Sequence, residues 1–140
     1  MNINPYLFFD GNCRQAFEFY AQCLGVELKA MLTAADTPMR DQAPAEGRDQ
    51  IMHACIEVGD NVLMASDWNC GPNPAPFEKP RGFRLSLNVG SSDEAERCYQ
   101  ALAEGGSKDM PLEKTFFAER FGMLTDRFGI PWMINCEKNG

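Results

Sequence analysis

The feature that most restricts the fold of this chain is a recurrence. The stretch "CRQAFEFYAQCLG" at 13–25 places Ala16, Phe17, Phe19, Tyr20, Cys23 and Leu24 at intervals of three and four, the spacing of a buried helical stripe, and Gly25 supplies the stop. The interval returns in "SSDEAERCYQALAEGG", where Ala95 and Tyr99 stand 79 residues after Ala16 and Tyr20. Each helix follows a strand-like run, "INPYLFF" at 3–9 and "FRLSLNV" at 83–89, and a capping pattern, Asn12 with Gln15 and Ser91 with Glu94. After the first helix come β-like runs at 26–34, 51–58 and 61–67, the last two joined by a tight Gly-Asp turn before Asn61. After the second come "SKDMPLEK", "FFAERFGMLTD" and "IPWMIN". The chain reads as two βαβββ modules in tandem: module 1 about 1–68, a connector rich in Pro and Gly about 69–81, and module 2 about 82–140. A further stretch, 35–50, has two prolines, a glycine and many charges, and is expected to be a surface loop.

Bulk properties narrow the partners. At 140 residues the chain has room for one domain and not for a second. A net charge of −7 repels phosphate backbones and anionic lipid, so neither nucleic acid nor a membrane surface is an expected partner; Lys79, Arg81 and Arg84 form too small a basic cluster to reverse this. No apolar run reaches the length of a membrane helix. The opening "MNINPYLFF" enters a strand pattern directly, with no export signal, and the expected location is the cytoplasm. The six cysteines, Cys13, Cys23, Cys55, Cys70, Cys98 and Cys136, contain no C-x-x-C pair and are read as reduced thiols.

Four stretches in order, "PYLFFDGNCRQAFEFYAQCLG", "MHACIEVGDNVLMASD", "GFRLSLNV" and "FGMLTDRFGIPWMIN", resemble the PhnB-like branch of the vicinal oxygen chelate superfamily, which includes glyoxalase I, bleomycin-resistance proteins and extradiol dioxygenases. The resemblance implies an α+β fold in which one glyoxalase-like domain, 1–140, curls the sheets of two βαβββ modules around a cavity with the helices outside. It also implies a homodimer, in some relatives with exchanged modules, and an unknown small organic ligand. A methyltransferase label used for some PhnB-like proteins has no counterpart here, since no glycine-rich turn follows a strand as in a nucleotide-binding loop.

Strand parity sorts residues toward that implied cavity. In 83–89, Leu85, Leu87 and Val89 share one face, leaving Arg84, Ser86 and Asn88 on the other. In 51–58, Met52, Ala54, Ile56 and Val58 form the apolar set, and His53 and Cys55 face the opposite way. Leu7, Phe9 and Met64 are expected to supply an apolar wall with Met133, beside Asn135. Arg84 would meet an anionic group if it is free.

His53, the only histidine, has three readings: a strand histidine bonded to a backbone carbonyl or at a subunit contact, a pocket group for ligand contact or proton transfer, and a metal ligand. Superfamily metalloenzymes take ligands from the first and last strands of each module. The resemblance places Pro5, Met64, Arg84 and Met133 there, and neither proline nor guanidinium binds a divalent cation, while thioethers favour soft ions. No metal and no other cofactor is therefore expected. The expected function is a metal-free small-molecule binder with no assigned reaction. The alternative is a lyase, isomerase or dioxygenase-type enzyme using His53 as catalytic acid/base or in an unusual metal site with Cys55, Asp67 or Glu119. Asp67 is expected to cap or turn the chain, Trp132 to pack in the core, and Cys55, near His53, is a weak candidate nucleophile.

Overall fold

A computed structural model describes residues 1–38, 49–68 and 75–138. The chain divides into two compact units, Met1–Phe77 and Glu78–Gly140. The first contains β1 (Tyr6–Phe9), α1 (Cys13–Leu24), β2 (Leu28–Thr33), a short 3-10 turn (Ala34–Asp36), β3 (Ile51–Val58) and β4 (Asn61–Asp67). The second contains β5 (Leu85–Val89), α2 (Ser92–Ala103), β6 (Ser107–Glu113), β7 (Ala118–Thr125) and β8 (Pro131–Glu137). Most of the expected loop and connector, 39–48 and 69–74, lies outside the described residues, as does Cys70.

Each unit is a four-stranded sheet with one helix on it. The strand orders are β1-β4-β3-β2 and β5-β8-β7-β6. In both, the first strand pairs in parallel with the last and the other pairs are antiparallel. The parallel pairing forces a crossover, and the helix supplies its first step. The two helices occupy 13–24 and 92–103, matching residue for residue at the offset of 79 found in the sequence.

The helical stripes bury as their spacing predicts. Cys13, Ala16, Phe17, Tyr20 and Cys23 are buried on α1, and Ala95, Cys98, Tyr99, Leu102 and Ala103 on α2. Phe9 from β1 stacks edge-on to Phe17 at 6.1 Å and lies 6.4 Å from Tyr20, so the first core is an aromatic cluster. Full burial of each such ring is worth roughly 1.5–3 kcal/mol.

The helix ends differ from one another. Gly25 closes α1 at φ 67° as expected, its amide donating to the Ala21 carbonyl. Ser91 caps α2, its Oγ accepting from the Glu94 amide at 3.2 Å. Asn12, expected to cap α1, makes no such bond. Its place is taken by Asp67 at the end of β4, whose Oδ1 accepts from the Cys13 amide at 2.9 Å, while Oδ2 accepts from the Ile51 amide at 2.7 Å. A carboxylate at a helix N-terminus also meets the favourable end of the helix dipole. Asp67 is thus a structural cap.

In the second unit Asp126 has a similar role. Its Oδ1 accepts from the Phe128 and Ile130 amides at 2.8 and 3.1 Å, fixing the turn before β8, and its Oδ2 accepts from the Trp132 indole at 2.8 Å. Trp132 is buried in the core, as the sequence predicts. The polar stretch "SKDMPLE" forms β6, an edge strand, where Pro111 costs no ladder bond on the open side.

Candidate functional site

In the first unit the face of the sheet turned away from α1 carries Tyr6 and Phe8 from β1, His53 and Cys55 from β3, and Met64 and Ser66 from β4. Register fixes this set: Tyr6 pairs with Met64, Phe8 with Ser66, and Cys55 with Met64. On β2, Leu32 stands opposite His53 and Ala30 opposite Cys55. The Tyr6 ring lies 6.2 Å from the His53 ring, and Phe8 packs on Tyr6 at 5.2 Å and edge-on against Trp68 at 5.2 Å. Tyr6, Phe8 and Leu32 are each about two-fifths exposed, at 39%, 41% and 42%.

His53 and Cys55 therefore lie on the side that parity predicts. Leu7 and Phe9 do not share it. They are buried on the helix side, and the residues facing His53 are Tyr6 and Phe8. The expected parity of β1 was reversed because "YLFF" is apolar at all four positions, so alternation carries no sign of which face is which. His53 is half-buried and makes no hydrogen bond to a described residue, so the reading in which its own unit satisfies it through a backbone carbonyl has no support.

Cys55 is poorly suited to nucleophilic work. Burial pushes its thiol pKa up, the nearby Glu57 carboxylate adds to this, and Lys29 offsets only part. The thiolate is the reactive form, and this environment disfavours it.

In the second unit Ser86 pairs with Met133 and Asn88 with Asn135, all on the face away from α2. Asn135 Nδ2 donates to Asn88 Oδ1 at 3.1 Å, so these two amides partly satisfy one another. Met123 stands opposite Met133 and Phe121 opposite Asn135, two face residues that sequence reasoning missed although the alternation of β7 contains them.

Arg84, one residue before β5, is engaged. Its Nη1 donates to Asp109 Oδ2 at 3.2 Å and to the carbonyls of Leu124 and Trp132 at 3.0 and 3.1 Å. Asp109 on β6 also accepts from the Thr125 hydroxyl at 2.6 Å and from the Ser107 hydroxyl at 2.8 Å. The Thr125 bond, then Ser107 and the Arg84 guanidinium, hold its carboxyl below the usual range against a smaller opposing effect of burial. Asp109 was invisible as a site residue in the sequence, since it sits 25 positions from Arg84 in a polar stretch.

Glu119 and Arg120, neighbours on β7, are in contact. A register shift between Ala118 and Arg120 lets Arg120 Nη1 donate to the Glu119 carbonyl at 2.7 Å and approach its carboxylate at 3.7 Å, while Nε reaches Glu96 on α2 at 3.5 Å. Both belong to a surface ion cluster.

Nearly the whole chain matches a known family model. Residues 2–134 fit the Glyoxalase/Bleomycin resistance protein/Dioxygenase superfamily. The chain belongs to this superfamily. Protein YjdN of Escherichia coli K12 is 34% identical over 146 residues, covering 99% of this chain and 97% of that protein. The crystal structure of protein PA1353 from Pseudomonas aeruginosa is 52% identical, covers 99% of both chains and superposes with a TM-score of 0.87. A Bacillus cereus protein named PhnB shares the fold at a TM-score of 0.75, with 20% identity over 97% of this chain and 99% of that one.

The superfamily's metalloenzymes imply a divalent cation, and the donor chemistry at the corresponding positions does not fit one. Pro5 lies outside β1, its carbonyl accepting from the Met64 amide at 3.3 Å, and a shift of one residue would substitute the Tyr6 phenol. Met64 and Met133 offer thioethers, and Arg84 a cation tied to Asp109. Among the described residues no group of three or more His, Cys, Asp or Glu could hold a metal ion.

Proposed function

We propose that this superfamily member binds a small organic molecule, without a resident metal, on the sheet faces turned away from its helices. The observation that carries this reading is the company of His53: an imidazole with no hydrogen bond to a described residue, 6.2 Å from the Tyr6 ring and opposite Leu32, on a face that also carries Phe8 and Met64. A mostly apolar surface with a few unsatisfied polar groups is the usual composition of a ligand site, the apolar part supplying affinity and the polar part orientation. His53 acts there as a donor or acceptor to the ligand. The second unit carries, on its own sheet, a comparable mixture in Ser86, Asn88, Met133 and Asn135. The protein is further read as a homodimer, following the habit of the superfamily, and as cytoplasmic.

A thermal-shift screen of native protein against small acids and uncharged aromatic compounds tests this. A binder raises the melting temperature in proportion to the logarithm of its concentration above Kd. The expected result is at least one such compound, with the shift lost in His53→Ala and Tyr6→Ala. No shift across the screen would remove the reading. Turnover of the bound compound, lost in His53→Gln, would move His53 from ligand contact to acid/base catalysis. Light scattering on an eluting peak should give twice the chain mass.

A further inference from the structure

The segment "KPRGFR" at 79–84 carries Lys79, Arg81 and Arg84 with no acidic residue among them, in a chain of net charge −7. Its Arg81, Phe83 and Arg84 form one side of an open groove of about 530 Å³, with Thr125, Pro131 and Met133 on the other. Among the described residues no Asp or Glu lines it.

Arg84 is bonded in a lopsided way. All the hydrogen bonds found for it leave from Nη1, whose two protons are shared among Asp109, the Leu124 carbonyl and the Trp132 carbonyl. The guanidinium is planar and rigid, so holding one nitrogen on three acceptors sets the plane of the whole group. Asp109 is itself held by Thr125 and Ser107, so the anchor does not swing freely. The edge formed by Nε and Nη2 remains, two parallel donors matching the two oxygens of a carboxylate or phosphate. The side chain is still 28% exposed. Asp109 offsets the charge of Arg84, and Arg81, with no acidic partner among the described residues, leaves the groove net positive.

We infer that this groove receives a small organic oxyanion, a carboxylate or a phosphate ester. Its oxygens lie on Nε and Nη2 of Arg84, and its apolar body lies against Phe83, Pro131 and Met133. The inference rests on the reading of the protein as a small-molecule binder and adds the chemical class of the ligand. The role of Asp109 is to orient the receptor, and Arg81 supplies the uncompensated charge.

Titration of the full-length protein with benzoate, phenyl phosphate and benzamide, followed by amide NMR, tests it. Benzoate or phenyl phosphate is expected to shift the amides of 81–84, 124–125 and 132–133 saturably, with benzamide at least tenfold weaker. The tighter of the two anions names the class. Arg84→Lys keeps the charge and loses the fork, so it should weaken anion binding about tenfold. Arg81→Ala, on an exposed segment, should weaken it severalfold and flatten its salt dependence. If Arg84→Lys does not fold, Arg81→Ala and the salt series still decide. Benzamide binding as tightly as benzoate, or unchanged anion affinity in the folded variants, would overturn the oxyanion while leaving the broader binding reading intact. Absence of binding by all three also overturns it, and the thermal-shift screen then judges the broader reading separately.

Discussion

Asp67 and Asp126 are the two buried carboxylates among the described residues, and both are occupied by backbone amides or an indole. An Asp→Ala change at 67 strips the acceptor from two buried amides, each costing about 1–3 kcal/mol when left unmet, so urea unfolding should show a loss of about 2–6 kcal/mol. Asp67→Asn keeps one acceptor and should lose about half as much. Asp109 behaves differently because it is half-exposed and responds to pH. Its folded-state pKa lies below the usual carboxylate value, so its contribution is present at neutral pH and is lost as pH falls through the folded pKa. Asp109→Asn should cost about 1 kcal/mol at neutral pH, and the difference from the native protein should shrink toward zero as pH falls through the lowered folded-state pKa of Asp109. Little of this was legible beforehand. Asp67 reads as a cap or turn, but its partner Cys13 is 54 positions away, and Asn12 offers a better local signal that tertiary structure overrides.

Among the elements, the helices were fully legible because a 3.6-residue period with an apolar stripe has few other solutions. The strands were legible where polar and apolar residues alternate. In β5 the leucines face α2 and the polar residues face away, as "LSLNV" predicts. In β1 four apolar residues in a row hide the parity, and Tyr6 and Phe8 emerge in the place expected for Leu7 and Phe9. The edge strand β6, exposed at six of its seven positions, has no alternation and is placed only by its position in the repeat. The packing of α2 on β7 depends on Gly122. A Cβ there would lie 2.9 Å from Leu112 Cα and 3.0 Å from a Tyr99 ring carbon, and the Tyr99 hydroxyl is already fixed by its bond to the Met110 carbonyl at 2.8 Å. Backbone on one side and an anchored ring on the other leave nothing soft to yield. Gly122→Ala should therefore lose about 1–3 kcal/mol by overpacking, with the tyrosine signal in near-UV circular dichroism reduced.

For the whole molecule, the duplicated strand order and the family match settle the architecture, while metal dependence turns on donor chemistry. A divalent ion such as Zn²⁺ or Mn²⁺ requires three or more nitrogen, thiolate or carboxylate donors converging within about 2–2.3 Å. The resemblance places the family's ligand positions at or within one residue of Pro5, Met64, Arg84 and Met133, and Arg84 already faces an anion of its own, Asp109, at 3.2 Å. A cation brought beside that guanidinium would meet repulsion, and the carboxylate next to it, Asp109, is already taken up by Arg84, Thr125 and Ser107. Metal-stripped protein should therefore keep its melting temperature within about 1 °C when Zn²⁺, Mn²⁺ or Fe²⁺ is added in excess, because an ion that binds the folded form would raise it. Native, tag-free protein should contain far less than one equivalent of any of the three by elemental analysis, and His53→Ala should not alter that content. A stoichiometric metal lost with His53 would mean that residues outside the family's positions converge around the imidazole, and the open aromatic face would then be a metal centre rather than a ligand wall.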